Sequence, residues 1–398
     1  MKCKFSGEKI KPFMSFGKMP MANAFLSKKE FKKEFFYNLE VGFNKRNFLF
    51  QINQHPKSNA IFNNKYPFFT SKSLYMKNHF KLFFEWIKKK YLNKKSIIIE
   101  IGSNDGTFLN YFKKARFNCM GFEPSKNVAD ISKKKNLKIF NKFFNLKNIK
   151  IYKNLKKKVD LICAANVICH IPDLNNLIKS IDHLLSKKGL FIFEEPYLGS
   201  MFKKNSYDQI YDAHIYMFSL HSVKSIFNKY NFDLIDALPQ KTHGGSMRYV
   251  IARKNKFNIS QRISKLLIKE KKQQLNNINS CINFKKNCEK SKEIFVKKIV
   301  NLKKKGYSIC AYAASAKSTT ALNYCKLNNN FIDYVADSTK EKIGKYTPGT
   351  HIPIVSIKYF RKNFRDYTIL NSWNHKKEIL SKEKKYVKNG GKFLSHVK

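Results

Sequence analysis

The chain has 398 residues, 43% of them apolar, and carries 79 Lys+Arg against 27 Asp+Glu for a formal charge of +52. That length exceeds what one hydrophobic core supports, so two or three domains are expected, with enough apolar residues to fill them. That charge would ordinarily suggest a nucleic-acid or anionic-membrane partner, but the inference is weak here, because only seven of the cations are arginine, whereas bidentate reading of phosphate or guanine favours the guanidinium fork.

Lys, Asn, Ile, Phe and Tyr are abundant together and share A/T-rich codons, which accounts for the basic surface, although a mild attraction to phosphorylated substrates follows from it. The eight cysteines form no C-x-x-C pair, and the opening MKCKFSGEKIKPF lacks the apolar core of a signal peptide. A reduced, cytoplasmic protein is expected. No window approaches the ~18 consecutive apolar residues of a membrane span.

Residues 1–93 mix short apolar pieces with turn signals (SGEK, FGKMP, NQHPKSN) and end in SLYMKNHFKLFFEWIKKKYL, whose periodicity predicts a helix. From 94 to 255, apolar strands alternate with amphipathic helices, the pattern of βαβ units and a parallel sheet. The first strand runs into Glu100-Ile-Gly102-Ser103-Asn104-Asp105-Gly106 and then a helix. Gly102 and Gly106 allow a tight turn and close backbone approach to a ligand. The loop lacks the G-x-G-x-x-G of dinucleotide folds, and an acid followed by glycine suits a nucleoside without phosphates.

The next strand, FNCMGFEPS, ends at Glu123 and Pro124, about 20 residues beyond the loop, where a carboxylate accepts from ribose hydroxyls. VDLICAANVICHIPDLN then gives a strand and a loop with Asn166 and His170. SLHSVKSIFNKY reads as a helix and DLIDALPQKTHGGSMRYVIARK as a closing strand pair. This is the element order of a class I Rossmann-like methyltransferase core with an antiparallel last strand. S-adenosylmethionine is the expected cofactor, held across the carboxyl ends of the strands at Glu100 to Gly106, Glu123, Pro124 and Asn166.

Residues 256–304 lack Pro and Gly and have helical periodicity with dense charge, so they read as a helical connection. Residues 305–398 start strand, loop and helix again (YSICAYAASAKSTTALNYC). They read as a second, smaller α/β Rossmann-like domain, with strands ending near 312, 336 and 370.

The set EIGSNDGTFL, GFEPSKNVA, NVICHIPDLN, YDAHIYMFSL, HGGSMRY, AYAASAKSTTALNYC, IDYVADSTKEKIGKYTPGTHIPI and SWN, with PMANAFL near the start, resembles the sugar C-methyltransferases that act on nucleotide-linked keto-deoxysugars. The resemblance spans essentially the whole chain. It implies a small amino-terminal zinc-binding-like lobe, a central S-adenosylmethionine domain and a carboxyl-terminal domain that helps enclose a nucleotide-sugar substrate.

The family's general base falls at His214, its tyrosine at Tyr211 and a second active-site histidine at His170. His243, Ser246 and Arg248 match a motif placed against the sugar or diphosphate, and Lys317, before a helix, is a candidate for the diphosphate. YPFFTS, residues 66–71, resembles an aromatic segment over the active site, although aromatic runs are more often core.

Two departures stand out. The family's four zinc cysteines are Cys3, Ser6, Asn44 and Asn47 here, so no zinc is expected. Its His-Glu pair before the base is Asp212-Ala213, with Asp212 a possible replacement carboxylate. The competing readings are an RNA or other small-molecule methyltransferase and a catalytically impaired cofactor-binding scaffold. The sugar, the methylated carbon, the nucleotide and the oligomeric state are left open.

Overall fold

A computed structural model describes residues 1–64 and 66–397. Its strands form three sheets. The amino-terminal sheet is built from β1 (Pro12–Pro20), β2 (Phe36–Phe43) and β3 (Phe50–Ile52), all antiparallel. The helix Leu74–Tyr91 follows, capped by Ser73, whose side chain accepts from Met76 N. Met76, Phe80, Phe83, Phe84 and Ile87 share its buried face, the spacing of an amphipathic helix. Phe80 and Phe83 each stack on Phe108 with ring centroids 4.9 Å apart, fixing this helix over the loop after the next strand.

The central sheet contains β4 (Ile97–Ile101), β5 (Asn118–Phe122), β6 (Ile139–Phe140), β7 (Val159–Ala165), β8 (Leu185–Pro196), β10 (Phe232–Gln240) and β11 (Ser246–Arg253). Their spatial order is β10-β11-β8-β7-β4-β5-β6. The pairs β6/β5, β5/β4, β4/β7 and β7/β8 are parallel, while β11 runs antiparallel between β8 and β10. This is the Rossmann-like order with an antiparallel closing strand. The order reverses at β4, where neighbouring crossovers pass to opposite faces and open a crevice at the strands' carboxyl ends.

The helices Gln261–Lys272 and Ile278–Lys304 lead to a third, parallel sheet. Its strands β12 (Ile309–Tyr312), β13 (Val335–Asp337), β14 (Ile354–Ser356), β15 (Tyr367–Leu370) and β16 (Lys392–Leu394) lie in the order β14-β13-β12-β15-β16. Among the described residues, no helix is long and apolar enough to cross a membrane.

One short strand ties the lobes together. β9 (Tyr216–Met217) follows His214 directly and pairs with β3 of the amino-terminal sheet, Phe50 opposite Met217 and Gln51 opposite Tyr216. Ile52 N also donates to Ile215 O at 3.0 Å.

Candidate active site

A cavity of about 620 Å³ opens at the carboxyl ends of β4, β5 and β7. At one end lie Glu100, Gly102, Ser103, Asn104, Glu123, Pro124 and Asn166; at the other lie Gln209, Tyr211, His214, His243 and Lys317, with His170 also on the wall. Tyr66, Phe68 and Thr70 line it as well, so the aromatic run of residues 66–71 is cavity wall rather than core. Asp105 stays off the wall: its carboxylate accepts from Ser71 N and from Thr107 Oγ1.

The loop after β4 has the backbone its glycines allow. Gly102 and Gly106 adopt φ of 67° and 75°, and Asn104 is left-handed at 49°. A Cβ on Gly102 would stand 2.5 Å from a Val167 methyl, so glycine is needed for close contact with the loop after β7 as well as for the turn. Glu123 is pinned by Asn104 N at 2.9 Å and Ser125 N at 2.8 Å. Burial pushes its carboxyl above the usual range, and Glu100 further still, because each loses solvation.

Five buried side-chain atoms without a partner line this one cavity: Glu100 Oε2, Ser103 Oγ, Asn166 Oδ1, Gln209 Oε1 and His243 Nε2. Buried polar atoms are nearly always paired, so a polar ligand is their natural complement. The donor set at the first end, two carboxylates, a hydroxyl and an amide around a glycine turn, fits a nucleoside cofactor.

His214 is buried, and its tautomer follows from its partners. Gln209 O is a carbonyl and can only accept, so His214 Nδ1 carries the proton and donates at 2.8 Å. Nε2 then has the lone pair and faces Tyr211 Oη at 2.5 Å. Burial holds the imidazole well below its ordinary pKa, with His170 and Lys317 adding repulsion, so the ring is neutral near pH 7. His170 donates from Nδ1 to Ala213 O at 2.5 Å, and its ring lies 5.2 Å from that of His214. Cys169, His170 and His214 have ligand-type atoms within 4.8 Å of one another, but both nitrogens of His214 and one of His170 are engaged in hydrogen bonds.

The structure corrects three expectations. Asp212 does not stand in for the missing glutamate: its carboxylate turns to the amino-terminal lobe, accepting from Ala22 N at 3.1 Å and from Ala213 N at 2.9 Å. Ser246 and Arg248 are not on the cavity wall. The Ser246 hydroxyl donates to Thr242 O, and the Arg248 guanidinium is paired with Glu194 and stacked 3.5 Å from the Phe83 ring centroid. Lys317 lies inside the helix Ala316–Tyr324, not before it, with Ser315 as the cap. Its ammonium sits 4.9 Å from the Trp373 ring centroid, and burial lowers its pKa.

Two residues of this site carry no sequence signal that singles them out. Gln209 is 2% exposed yet reaches the cavity. Glu195, at the end of β8, accepts from Val167 N at 2.8 Å and Ile168 N at 2.5 Å, bracing the loop that holds Asn166 and His170.

Three family models tile the chain: a zinc binding domain over residues 3–62, a methyltransferase domain over 74–237 and a C-methyltransferase C-terminal domain over 241–397. The chain is 27% identical over 299 residues to the C-methyltransferase NovU of Streptomyces niveus, covering 75% of this chain and 71% of that protein. These matches make the chain a C-methyltransferase.

This C-methyltransferase depends on S-adenosylmethionine. Among solved structures, the PH0226 protein of Pyrococcus horikoshii matches 47% of the C-methyltransferase and 94% of its own chain, at 14% identity and a TM-score of 0.37. The magnesium protoporphyrin IX methyltransferase of Synechocystis, solved with bound S-adenosylmethionine, matches 45% and 79% at 13% identity and 0.33.

The amino-terminal lobe of this C-methyltransferase has a tight turn after Cys3 and another after Asn44. Gly7 N returns to Cys3 O at 2.8 Å, and Phe48 N to Asn44 O at 2.8 Å. At the positions where the family resemblance implies zinc cysteines, Asn47 Nδ2 donates to Cys3 Sγ at 3.4 Å and Asn44 Nδ2 to Glu8 Oε2 at 2.7 Å, while Asn44 Oδ1 accepts from Arg46 N and Asn47 N. One thiol, one hydroxyl and two amides do not fit tetrahedral zinc.

Proposed function

We propose that the enzyme methylates a carbon next to the ketone of a nucleotide-linked keto-deoxysugar. The observation that carries this reading is the His214 tautomer: a neutral imidazole with its lone pair on Nε2, in the wall of the cavity that also holds the cofactor loop. S-adenosylmethionine supplies an electrophilic methyl group when bound. Glu100, Gly102, Ser103, Asn104, Glu123, Pro124 and Asn166 hold it, with Asp105 shaping the loop from behind.

His214 Nε2 removes the proton from the carbon beside the ketone, which makes that carbon nucleophilic. The Tyr211 hydroxyl leaves Nε2 as the acceptor enters and donates to the keto oxygen, where charge develops. His170 is anchored through Nδ1 to Ala213 O and stands on the same wall as His214, beside the keto group of the acceptor. Lys317 and His243 receive the diphosphate end of the acceptor, Lys317 belonging to the first turn of the helix Ala316–Tyr324.

The test is incubation with methyl-labelled S-adenosylmethionine and a panel of nucleotide-linked 4-keto sugars, locating the label by mass spectrometry and NMR. Label on a ring carbon next to the ketone is expected. Label on oxygen, or methylation of RNA in place of every sugar, would sink the reading.

The amino-terminal lobe, in the same reading, holds no zinc and is braced by the Cys3, Asn44, Asn47 and Glu8 hydrogen bonds. Metal analysis of the purified protein is expected to find well under one zinc per chain, and EDTA to leave the melting temperature unchanged. One equivalent of zinc whose removal lowers the melting temperature would refute it.

A further inference from the structure

Gln209 combines features that no other residue of the cavity has. Its side chain is 2% exposed, its Nε2 donates to Ser206 Oγ at 2.7 Å, and its Oε1 has no partner although the residue lines the cavity. Its backbone carbonyl holds Nδ1 of His214. The segment has no room to turn away, because both neighbours are pinned from the carboxyl-terminal domain. Trp373 Nε1 donates to Asp208 Oδ2 at 2.7 Å, and Thr320 Oγ1 to Ile210 O at 3.0 Å.

We infer that Gln209 is a specificity residue that reads a hydroxyl group of the acceptor close to the carbon being methylated. The inference rests on the C-methylation reading above and adds the chemistry of one substituent. A buried carboxamide edge with no protein partner is completed by a ligand. A hydroxyl is the group that fits, since it can donate to the amide oxygen or accept from the amide nitrogen and so pairs with either orientation of the side chain.

One residue therefore ties two distances together. Its amide fixes a substituent of the sugar, and its carbonyl fixes the imidazole that takes the proton. Binding an acceptor that has the hydroxyl aligns the reacting carbon with Nε2; an acceptor without it leaves the amide unpaired and the carbon free to drift.

The experiment compares wild type with Gln209→Leu on paired nucleotide-linked 4-keto sugars that differ by a single ring hydroxyl. Wild type is expected to prefer one hydroxylated member over its deoxy partner by at least tenfold in kcat/KM. Gln209→Leu is expected to raise the KM for that acceptor more than tenfold, to erase the preference, and to leave S-adenosylmethionine affinity within about twofold.

An unchanged preference in Gln209→Leu overturns the inference while leaving C-methylation standing. Equal kcat/KM for every pair in wild type overturns it without need of the variant, which covers the case in which Gln209→Leu fails to fold. Absence of transfer from wild type to the carbon of any sugar removes both this inference and the reading beneath it.

Discussion

Replacing His214 with alanine is expected to lower kcat by about 10²–10⁴-fold, the usual contribution of a positioned general base, with S-adenosylmethionine binding retained. The residues proposed to hold the cofactor lie at the other end of the cavity, and the His214 side chain is hydrogen-bonded to Gln209 O and Tyr211 Oη. Single-turnover transfer, with cofactor affinity from calorimetry, separates the two effects. Unchanged turnover would remove His214 from the chemistry.

The pH profile adds a second reading. Burial and the neighbouring His170 and Lys317 hold the imidazole well below 6.5, and a base works in its deprotonated form. The acidic limb of kcat/KM is therefore expected below pH 6.5, with activity kept at pH 6, where an exposed histidine would be mostly protonated.

Glu195→Ala is expected to weaken cofactor affinity and turnover together. Glu195 is fully buried, and Oε1 takes both Val167 N and Ile168 N. Removing it orphans two donors, each at a cost of about 1–3 kcal/mol. The loop they brace touches both halves of the site. Val167 packs on Gly102, His170 reaches Ala213 O, and Cys169 O accepts from Ile215 N at 2.9 Å. Glu195→Gln keeps an accepting oxygen and is expected to recover most of both activities, whereas Glu195→Met, which fills similar space without a carboxamide or carboxylate acceptor, is not; equal recovery by both would indicate a mere packing role.

The glutamine variant also changes the response to pH. Burial pushes the Glu195 carboxyl up to about 7. A carboxyl with its folded-state pKa raised keeps its proton in the native state while the unfolded chain has released it. Its contribution to stability therefore falls as pH rises from the unfolded value near 4.5 through 7, and is fully lost above that. Melting of Glu195→Gln relative to wild type is expected to improve steadily between pH 5 and 8. A flat difference would place the carboxyl's titration elsewhere.

Much of the cofactor end was legible in the sequence because it is local. Glu100 to Gly106 sits in one turn whose φ values only glycine and asparagine adopt easily, and Glu123 follows at the end of the next strand. Helix Leu74–Tyr91 and the strands ending at Tyr312, Asp337 and Leu370 followed from periodicity and apolar runs. The acceptor end was legible only as a resemblance, and there side-chain direction was misjudged. Asp212 was one residue from the right place in sequence but on the wrong side of the backbone, because β9 turns the segment to pair with β3 and aims that carboxylate at Ala22. Arg248 looked like an anion receptor, and nothing in its own segment announced that Glu194, on the neighbouring strand, and Phe83, on a distant helix, would claim it.

By itself the sequence determined the alternation of strands and helices, the glycine turn after β4, the histidine at 214 and the absence of a thiol at residues 6, 44 and 47, since each is written in residue type and short-range spacing. Which nitrogen of His214 holds the lone pair, that Gln209 faces the cavity unpaired, and that Glu195 braces the loop were decided by tertiary structure. Those properties depend on which carbonyls, N–H groups and rings from separate segments meet once the chain is packed, and buried hydrogen bonds are paired by proximity in space rather than along the chain.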